Sequence, residues 1–229
     1  MYHKLKQQVY DANMALQRHG LVVFTWGNVS GIDRDVGVVA IKPSGVRYED
    51  LTPESIVVLD LKGNVVEGDL RPSSDTPTHL ELYRCFEGLG GICHTHSTHA
   101  TMWAQAQRDI PCLGTTHADH FYGPIPVTAP MTVAEIEQNY EANTGKVIVR
   151  RFEGLDPMQM PAVLVANHGP FTWGDSAAAS VKNAVVLEEV AKMAHGALVI
   201  NSDQKAIAQT LLDKHYLRKH GENAYYGQA

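Results

Sequence analysis

The chain has 229 residues and a net charge of −6, and 44% of its residues are hydrophobic while 19% are charged. This length and composition predict one globular domain, residues 1–229, with enough apolar side chains to bury a core. The acidic balance and the lack of a basic run argue against a nucleic-acid-binding protein. No apolar run approaches the roughly 20 residues that a membrane span requires.

The first part of the chain predicts one helix followed by strands. Apolar residues recur at helical spacing before Gly20, which supplies a stop. Segments 21–24 and 36–41 are rich in β-formers and flank a loop of turn formers, TWGNVSGIDRD. Segments 56–60 and 64–67 are predicted to pair as a hairpin.

A second helix is predicted to begin near Asp75-Thr76-Pro77, because Thr76 can cap it and Pro77 suits the first helical position. It ends before Gly88. The later elements are predicted in the order strand 91–96, helix 98–107, strand 125–128, helix 133–143, strand 162–166, helix 176–195 and helix 203–219. Short turns between several strands favour a mixed or antiparallel sheet over a parallel one.

The cysteines and the N-terminus indicate the compartment. Cys85, Cys93 and Cys112 lack paired or CxxC spacing, which favours reduced thiols. The N-terminal segment has an amphipathic helical pattern without the apolar core of a signal peptide. We therefore expect a cytoplasmic protein.

Two histidines, His94 and His96, stand one residue apart in the stretch GGICHTHSTHAT. In a strand, alternate side chains share a face, so both imidazoles point to the same side as Ile92. Two neutral imidazoles on one face form a chelating edge for a divalent metal. Taken alone, such a pair is more often two histidines near a surface turn than a metal site.

His168 is the third candidate ligand, because it lies where an apolar strand meets a Gly-Pro turn. Alone, a histidine there is more often satisfied by a backbone carbonyl. Three histidines with one position open to water or substrate would make a catalytic metal site. Asp75 offers a carboxylate that can complete the site, although the local sequence favours an aspartate that stabilises the helix start.

Two loops of small residues are suited to hold an anion. Ser44 and Gly45, in Lys42-Pro43-Ser44-Gly45, combine a hydroxyl and a permissive glycine near a cation, and Ser73-Ser74 precede a helix start that attracts phosphate. Gly27-Asn28 can add an amide donor. Singly, each loop is a common turn or cap; together they favour a phosphorylated substrate.

Two further side chains are candidates for proton transfer. Asp119 follows the polar stretch Thr115-Thr116-His117-Ala118 and is either a general acid/base or the cap of a turn. Tyr226, with Tyr225, is a phenol in a polar tail. It either packs at an interface or donates a proton where the tail docks onto a site.

Six segments in combination resemble the L-ribulose-5-phosphate 4-epimerases of the class II aldolase family, over nearly the entire chain. They are HTH, NHGPFTWG, KPSG, RPSSDT, GTTHAD and HYLRKHGENAYYG. The resemblance implies an α/β/α three-layer sandwich with a central, largely antiparallel mixed sheet. It also implies a homotetramer with active sites at subunit interfaces, acting on a phosphorylated pentulose.

The resemblance also implies roles for individual residues. The metal, usually Zn²⁺ and alternatively Mn²⁺ or Co²⁺, is held by His94, His96 and His168, with Asp75 beside them. Asp119 matches an acid/base and Tyr226 a tyrosine from the neighbouring subunit. The residues that bind the substrate phosphate in the family match Ser44, Gly45, Ser73 and Ser74. Residues that line the same pocket match Gly27 and Asn28. Four more residues fall at positions that lie around the site in the family and have less defined roles there: Thr115, Glu141, His215 and Arg218.

The implied reaction interconverts L-ribulose 5-phosphate and D-xylulose 5-phosphate by breaking the C3–C4 bond, rotating the aldehyde and rejoining it. Two alternatives stand beside it. One is a sugar-phosphate aldolase that releases the aldehyde, and the other is a scaffold of the same fold without activity. Arabinose, ascorbate and other pentose routes all use such epimerases.

Overall fold

The computed structural model describes residues 2–226, in which seven strands form one sheet. The strands are β1 (Asn28–Asp33), β2 (Val38–Ile41), β3 (Val57–Asp60), β4 (Val65–Glu67), β5 (Gly91–His94), β6 (Ala162–Leu164) and β7 (Pro170–Gly174). Across the sheet their order is β4-β3-β2-β1-β5-β7-β6, and all neighbouring strands run antiparallel.

Eight α-helices in the described range pack around this sheet. They are α1 (His3–Arg18), α2 (Thr76–Cys85), α3 (Thr98–Gln105), α4 (Thr115–Ala118), α5 (Val133–Glu137), α6 (Tyr140–Arg151), α7 (Ala177–Ile200) and α8 (Gln209–His220). A search of residues 2–226 finds no helix long and apolar enough to cross a membrane.

Two hydrophobic clusters cover opposite faces of the sheet, because the side chains of each strand alternate. Val38 and Ala40 of β2 belong to a cluster with α1 and the first half of α7, whereas Val39 belongs to one with α2 and α6. In β5, Cys93 likewise belongs to the cluster with α1, and Ile92 belongs to the cluster with α2 and α6. The layers are therefore helices, sheet and helices, which confirms the predicted α/β/α fold with a largely antiparallel sheet.

The strand β1 is the main departure from the predicted elements. It lies inside the predicted loop, and the predicted strand at 21–24 is wrong, because those residues form coil and a turn. The sequence NVSGID is rich in turn formers, but β2 and β5 pair with both of its edges. Hydrogen bonding from two neighbours therefore overrides the local preference.

Other boundaries also differ. Segment 133–143 is two helices rather than one, because Asn139 takes a left-handed backbone conformation (φ 56°) between α5 and α6. The predicted strand at 125–128 makes only isolated bridges, one to Ile110 and one parallel bridge to Leu164. The last helix begins at Gln209 instead of 203, and β7 was not predicted.

Candidate metal centre and anion pocket

Three elements bring His94, His96 and His168 together. His94 ends β5, His96 lies two residues later, and His168 occupies the turn between β6 and β7. β5 and β7 are neighbours in the sheet, so the turn folds back over the end of β5. One ligand atom from each histidine lies within 4.8 Å of the others. This is the cluster that the sequence predicted, although His168 is 72 residues from His96 in the chain, and it lies at the edge where these strands end.

A hydrogen bond orients the His94 ring and places a proton on Nδ1. Its Nδ1 is 2.9 Å from the carbonyl oxygen of Pro170, which only accepts, so Nδ1 carries the proton. In the neutral ring Nε2 then carries the lone pair, and Nε2 lies 3.1 Å from His96 Nε2. A ring oriented by a backbone carbonyl with its other nitrogen free is the usual arrangement of a metal-ligating histidine.

The surroundings keep the other two imidazoles neutral. Burial lowers the pKa of His168 to about 3, and the neighbouring His94 acts in the same direction. Burial and His94 also lower the pKa of His96. Neutral imidazole is the form that binds a metal, and three nitrogens with one open side match a catalytic divalent site. The donor set therefore fits such an ion.

Asp75 is directed into this pocket instead of capping its helix. It stands at the N-cap position of α2, yet its side chain makes no capping hydrogen bond. Its Oδ2 accepts a hydrogen bond of 2.6 Å from Asn28 Nδ2. Burial opposes its charge, but His94, His79 and the Asn28 amide together lower its pKa. Asp75 therefore stands at the helix start, as the local sequence indicated, but its ionised carboxylate makes no capping hydrogen bond and lies close to the histidines.

The histidines and both predicted anion loops line one pocket of about 350 Å³. Its walls include the four candidate metal residues, His94, His96, His168 and Asp75, and the six candidate substrate-binding residues, Gly27, Asn28, Ser44, Gly45, Ser73 and Ser74. An isolated antiparallel β-bridge between Pro43 and Pro72 holds the two loops side by side. Ser44 N–H donates to Arg71 O at 2.9 Å, and Ser44 itself is exposed.

The approach of the first loop to the histidines requires a glycine. Gly27 has a φ of 78°, and a Cβ there would lie only 2.9 Å from the carbonyl oxygen of His94. Asn28 then pairs with His94 across β1 and β5. The amide of Asn28 donates to Ser73 Oγ at 3.1 Å, and its Oδ1 is buried without a hydrogen-bond partner among the described residues. An acceptor is therefore available on the pocket wall.

Lys42 adds a cation to the same pocket. The residue is 2% exposed, and its Nζ donates to Val46 O at 2.6 Å. Burial lowers the pKa of Lys42 to about 8, so the ammonium form is still favoured at neutral pH. The ammonium lies 4.9 Å from the Tyr48 ring centroid.

Asp119 and Tyr226 lie together in a second cluster, outside the walls of the histidine pocket. Asp119 follows α4 and forms ion pairs with Arg218, His215 and Lys219 on α8. The ring of Tyr226 lies over Lys219 at 4.3 Å. Burial opposes the charge of Asp119, but hydrogen bonds from His215, Arg218 and Lys219 lower its pKa. Within this chain, these two residues are thus outside the pocket that the histidines line.

Two residues near the histidines were missed from sequence. The ring of Trp26 is 6.1 Å from that of His96 and belongs to the pocket wall. His79 is fully buried on α2, one turn after Asp75, with Nδ1 2.7 Å from Ser30 Oγ. Burial lowers its pKa to about 3. The i, i+4 spacing between Asp75 and His79, which puts both on one face of α2, is the signal that could have found His79.

The family was decided by comparison with known proteins. Residues 7–195 match the family model described as the class II aldolase and adducin N-terminal domain. The chain belongs to this family. Class II aldolases typically depend on a divalent metal and act on phosphorylated sugars, so membership supports a metal-dependent function of the aldolase or epimerase kind.

Solved structures agree with this assignment. An L-fuculose 1-phosphate aldolase superposes with a TM-score of 0.78 and 27% identity, covering 93% of this chain and 94% of that chain. YgbL from Klebsiella pneumoniae has a TM-score of 0.71 and 23% identity, with coverages of 92% and 97%. An L-fuculose 1-phosphate aldolase from Glaciozyma antarctica PI12 has a TM-score of 0.79, 16% identity and coverages of 97% and 84%. The last two likenesses are evidence of the fold alone.

Proposed function

We propose that this class II aldolase-family chain, as a single domain spanning 1–229, is an L-ribulose-5-phosphate 4-epimerase that uses Zn²⁺. The observation that carries the proposal is the shared pocket of about 350 Å³, in which the three histidines face two hydroxyl-bearing loops. A pentulose phosphate carries both groups that such a pocket would recognise. These are a carbonyl beside a hydroxyl at one end and a phosphate at the other.

The anion loops hold the phosphate in this mechanism. Ser44, Gly45, Ser73 and Ser74 present hydroxyls and backbone N–H groups near the start of α2, where the helix dipole favours an anion. Holding the phosphate keeps the two-carbon aldehyde fragment in the pocket while it rotates. A retained fragment can rejoin through its other face, and that inverts C4.

The histidines place the other end of the sugar. His94, His96 and His168, with Asp75, would hold a divalent ion in the pocket that receives the substrate. An ion held there would supply Lewis-acid stabilisation of the negative charge that develops on the C2 carbonyl oxygen when the C3–C4 bond breaks. Asn28 fixes the Asp75 carboxylate with its 2.6 Å hydrogen bond and offers its free Oδ1 as an acceptor for a hydroxyl.

Proton transfer at the C4 hydroxyl falls to Asp119 and Tyr226. One removes the hydroxyl proton on one face and the other returns a proton on the opposite face, with roles set by the reaction direction. Both residues contact the α8 cations of their own subunit, at Arg218 and Lys219. We infer that one subunit of a homotetramer delivers them together to a neighbour's pocket. The separation of the two clusters within one subunit supports this arrangement.

An aldolase that releases its aldehyde is the second candidate. The 27% identity to an L-fuculose 1-phosphate aldolase favours it, because the same metal and phosphate groups would serve that cleavage. A scaffold without activity is a third candidate, and the intact histidine cluster argues against it. The free thiols, two of them buried, support the proposed cytoplasmic location.

Product analysis separates these functions. Purified Zn²⁺-loaded protein is incubated with L-ribulose 5-phosphate, and the sugars are followed by NMR. Formation of D-xylulose 5-phosphate without free aldehyde supports the epimerase. Stoichiometric glycolaldehyde phosphate, or cleavage of L-fuculose 1-phosphate in a parallel reaction, supports the aldolase. Protein that binds no metal and converts neither sugar supports the scaffold.

A further inference from the structure

Glu188 lies on α7, but its carboxylate serves the start of α3. Oε1 accepts a hydrogen bond from the backbone N–H of His99 at 2.8 Å, and Oε2 accepts one from Ala100 at 3.0 Å. Oε1 also lies 2.8 Å from His99 Nδ1. The carboxylate side chain is 14% exposed, so water competes weakly for these contacts. One side chain therefore joins two helices through three donors.

The start of α3 needs such a partner. The first N–H groups of a helix have no helical carbonyl to donate to, and Ser97 at the N-cap position makes no side-chain capping hydrogen bond. Glu188 takes this place and puts a negative charge at the positive end of the helix dipole. Burial opposes this charge, but the hydrogen bonds from Ala100 and His99 lower the pKa of Glu188 overall.

The anchored turn follows directly after His96. β5 ends at His94, so His96 lies beyond the strand ladder. The chain runs from His96 to Ser97, whose carbonyl accepts the N–H of Thr101 in α3 at 2.9 Å. A rotation of this turn would therefore displace the His96 backbone.

The opposite side of His96 leaves little room for such a displacement. Gly169 follows the third histidine, and a Cβ at this position would lie 2.8 Å from Thr95 O and 3.3 Å from His96 Cδ2. The backbone of the β6–β7 turn is thus in close contact with the segment that carries His96. His96 is held between this turn and the start of α3.

We propose that Glu188 is a positioning residue that sets the place of His96 in the metal centre by anchoring the start of α3 from α7. The inference rests on the proposed function, in which His94, His96 and His168 hold the divalent ion. Glu188 does not touch the ion or the substrate. It acts through the backbone of residues 97–100.

The test measures Co²⁺ binding to metal-free protein, by titration and by the visible absorption that reports ligand geometry. Glu188→Gln keeps the shape of the side chain and loses the charge that serves three donors. We expect about 10-fold weaker Co²⁺ affinity and an altered spectrum, as for other residues that orient a ligand. Glu188→Asp, which keeps the charge on a shorter side chain, is expected to fall between Gln and wild type.

Two control variants separate positioning from general stability. Glu189→Gln removes the exposed neighbouring carboxylate on α7 and is expected to bind Co²⁺ as the wild type does. Ser176→Ala removes the side-chain cap at the start of α7, where Ser176 Oγ accepts the Ala179 N–H at 3.2 Å. It is expected to lower the melting temperature without changing Co²⁺ affinity.

The outcomes distinguish this inference from the proposed function. One outcome would overturn the role of Glu188 alone. In it, the wild type binds one Co²⁺, His96→Asn loses this binding, and Glu188→Gln keeps a normal Co²⁺ affinity and spectrum. An equal loss of affinity in Ser176→Ala would also overturn it, because stability would then explain the effect. Wild type that binds no Co²⁺ would overturn both proposals.

Discussion

Asp119 and Arg218 form a forked ion pair, in which Arg218 Nη2 lies 2.8 Å from Oδ2 and 2.9 Å from Oδ1 of the carboxylate. The two residues are 99 positions apart, at the end of α4 and on α8. The Arg218 guanidinium also lies 4.8 Å from the Tyr226 ring centroid, so one cation links both proposed proton-transfer groups. α8 thereby holds the tail against the segment that carries Asp119.

Tyr226→Phe tests this part of the mechanism with a minimal change. Phenylalanine keeps the ring over Arg218 and Lys219 and removes only the hydroxyl. We expect kcat to fall about 100-fold with metal content unchanged, because positioned acid–base groups contribute on that scale. Steady-state kinetics and elemental analysis check it, and normal turnover would remove Tyr226 from the mechanism.

His96→Asn tests the metal centre. We expect the variant to lose most of its metal, and kcat to fall by about 100-fold or more, because Lewis-acid stabilisation is worth several kcal/mol. Far-UV circular dichroism should match the wild type, since His96 lies beyond the end of β5. Unchanged metal content by elemental analysis would rule out His96 as a ligand.

Ser44→Ala tests the phosphate loop. Its hydroxyl belongs to the pocket wall and is exposed, so the substitution disturbs little else. Loss of one hydrogen bond to a charged group, worth about 1.5–3 kcal/mol, predicts a rise in KM of about 10-fold or more. Metal content should be unchanged. The matched control is Ser202→Ala, at an exposed serine outside the pocket, and equal KM values for both variants would contradict the assignment.

The buried His117 is expected to make the free energy of unfolding of the metal-free protein depend on pH. It is 4% exposed and donates from Nε2 to Gly123 O at 2.8 Å, and burial lowers its pKa to about 4. The unfolded chain, with a histidine pKa of about 6.5, binds the proton more readily. This contribution to stability is therefore complete above about pH 6.5 and is lost as pH falls toward about 4.

Urea unfolding at several pH values checks this dependence. His117→Gln, which keeps an N–H donor that does not titrate, should flatten the slope in that window by up to about 1.4 kcal/mol per pH unit. His19→Gln, at an exposed histidine, is the control and should keep the wild-type slope. Parallel slopes for wild type and His117→Gln would show that His117 does not contribute.

Much of the candidate site was predictable from local sequence. The HTH spacing, the turn at His168 and the serine and glycine loops each carry their chemistry in a few adjacent residues, and all of them line one pocket. Their joint presence indicated the family, which residues 7–195 confirm. The hairpin of β3 and β4 was also predicted, because its pattern is local.

Other features depended on contacts between distant segments. β1 is a strand only because β2 and β5 supply partners on both edges, which no property of NVSGID encodes. The Asp75 carboxylate accepts its hydrogen bond from Asn28, 47 residues earlier, and that contact depends on the pairing of β1 with β5. The surroundings of two other residues also depend on distant segments. His79 is buried in the folded chain, and Glu188 reaches the start of α3 because α7 packs against α3.

The sequence by itself determined which chemical groups this protein carries: three imidazoles, two anion loops and the family to which they belong. Only the tertiary structure decided their arrangement, because distances between residues far apart in the chain are set by strand pairing and helix packing. It placed the imidazoles against the loops. It also placed Asp119 and Tyr226 against α8, away from that pocket, because the cations of α8 attract both the carboxylate and the aromatic ring.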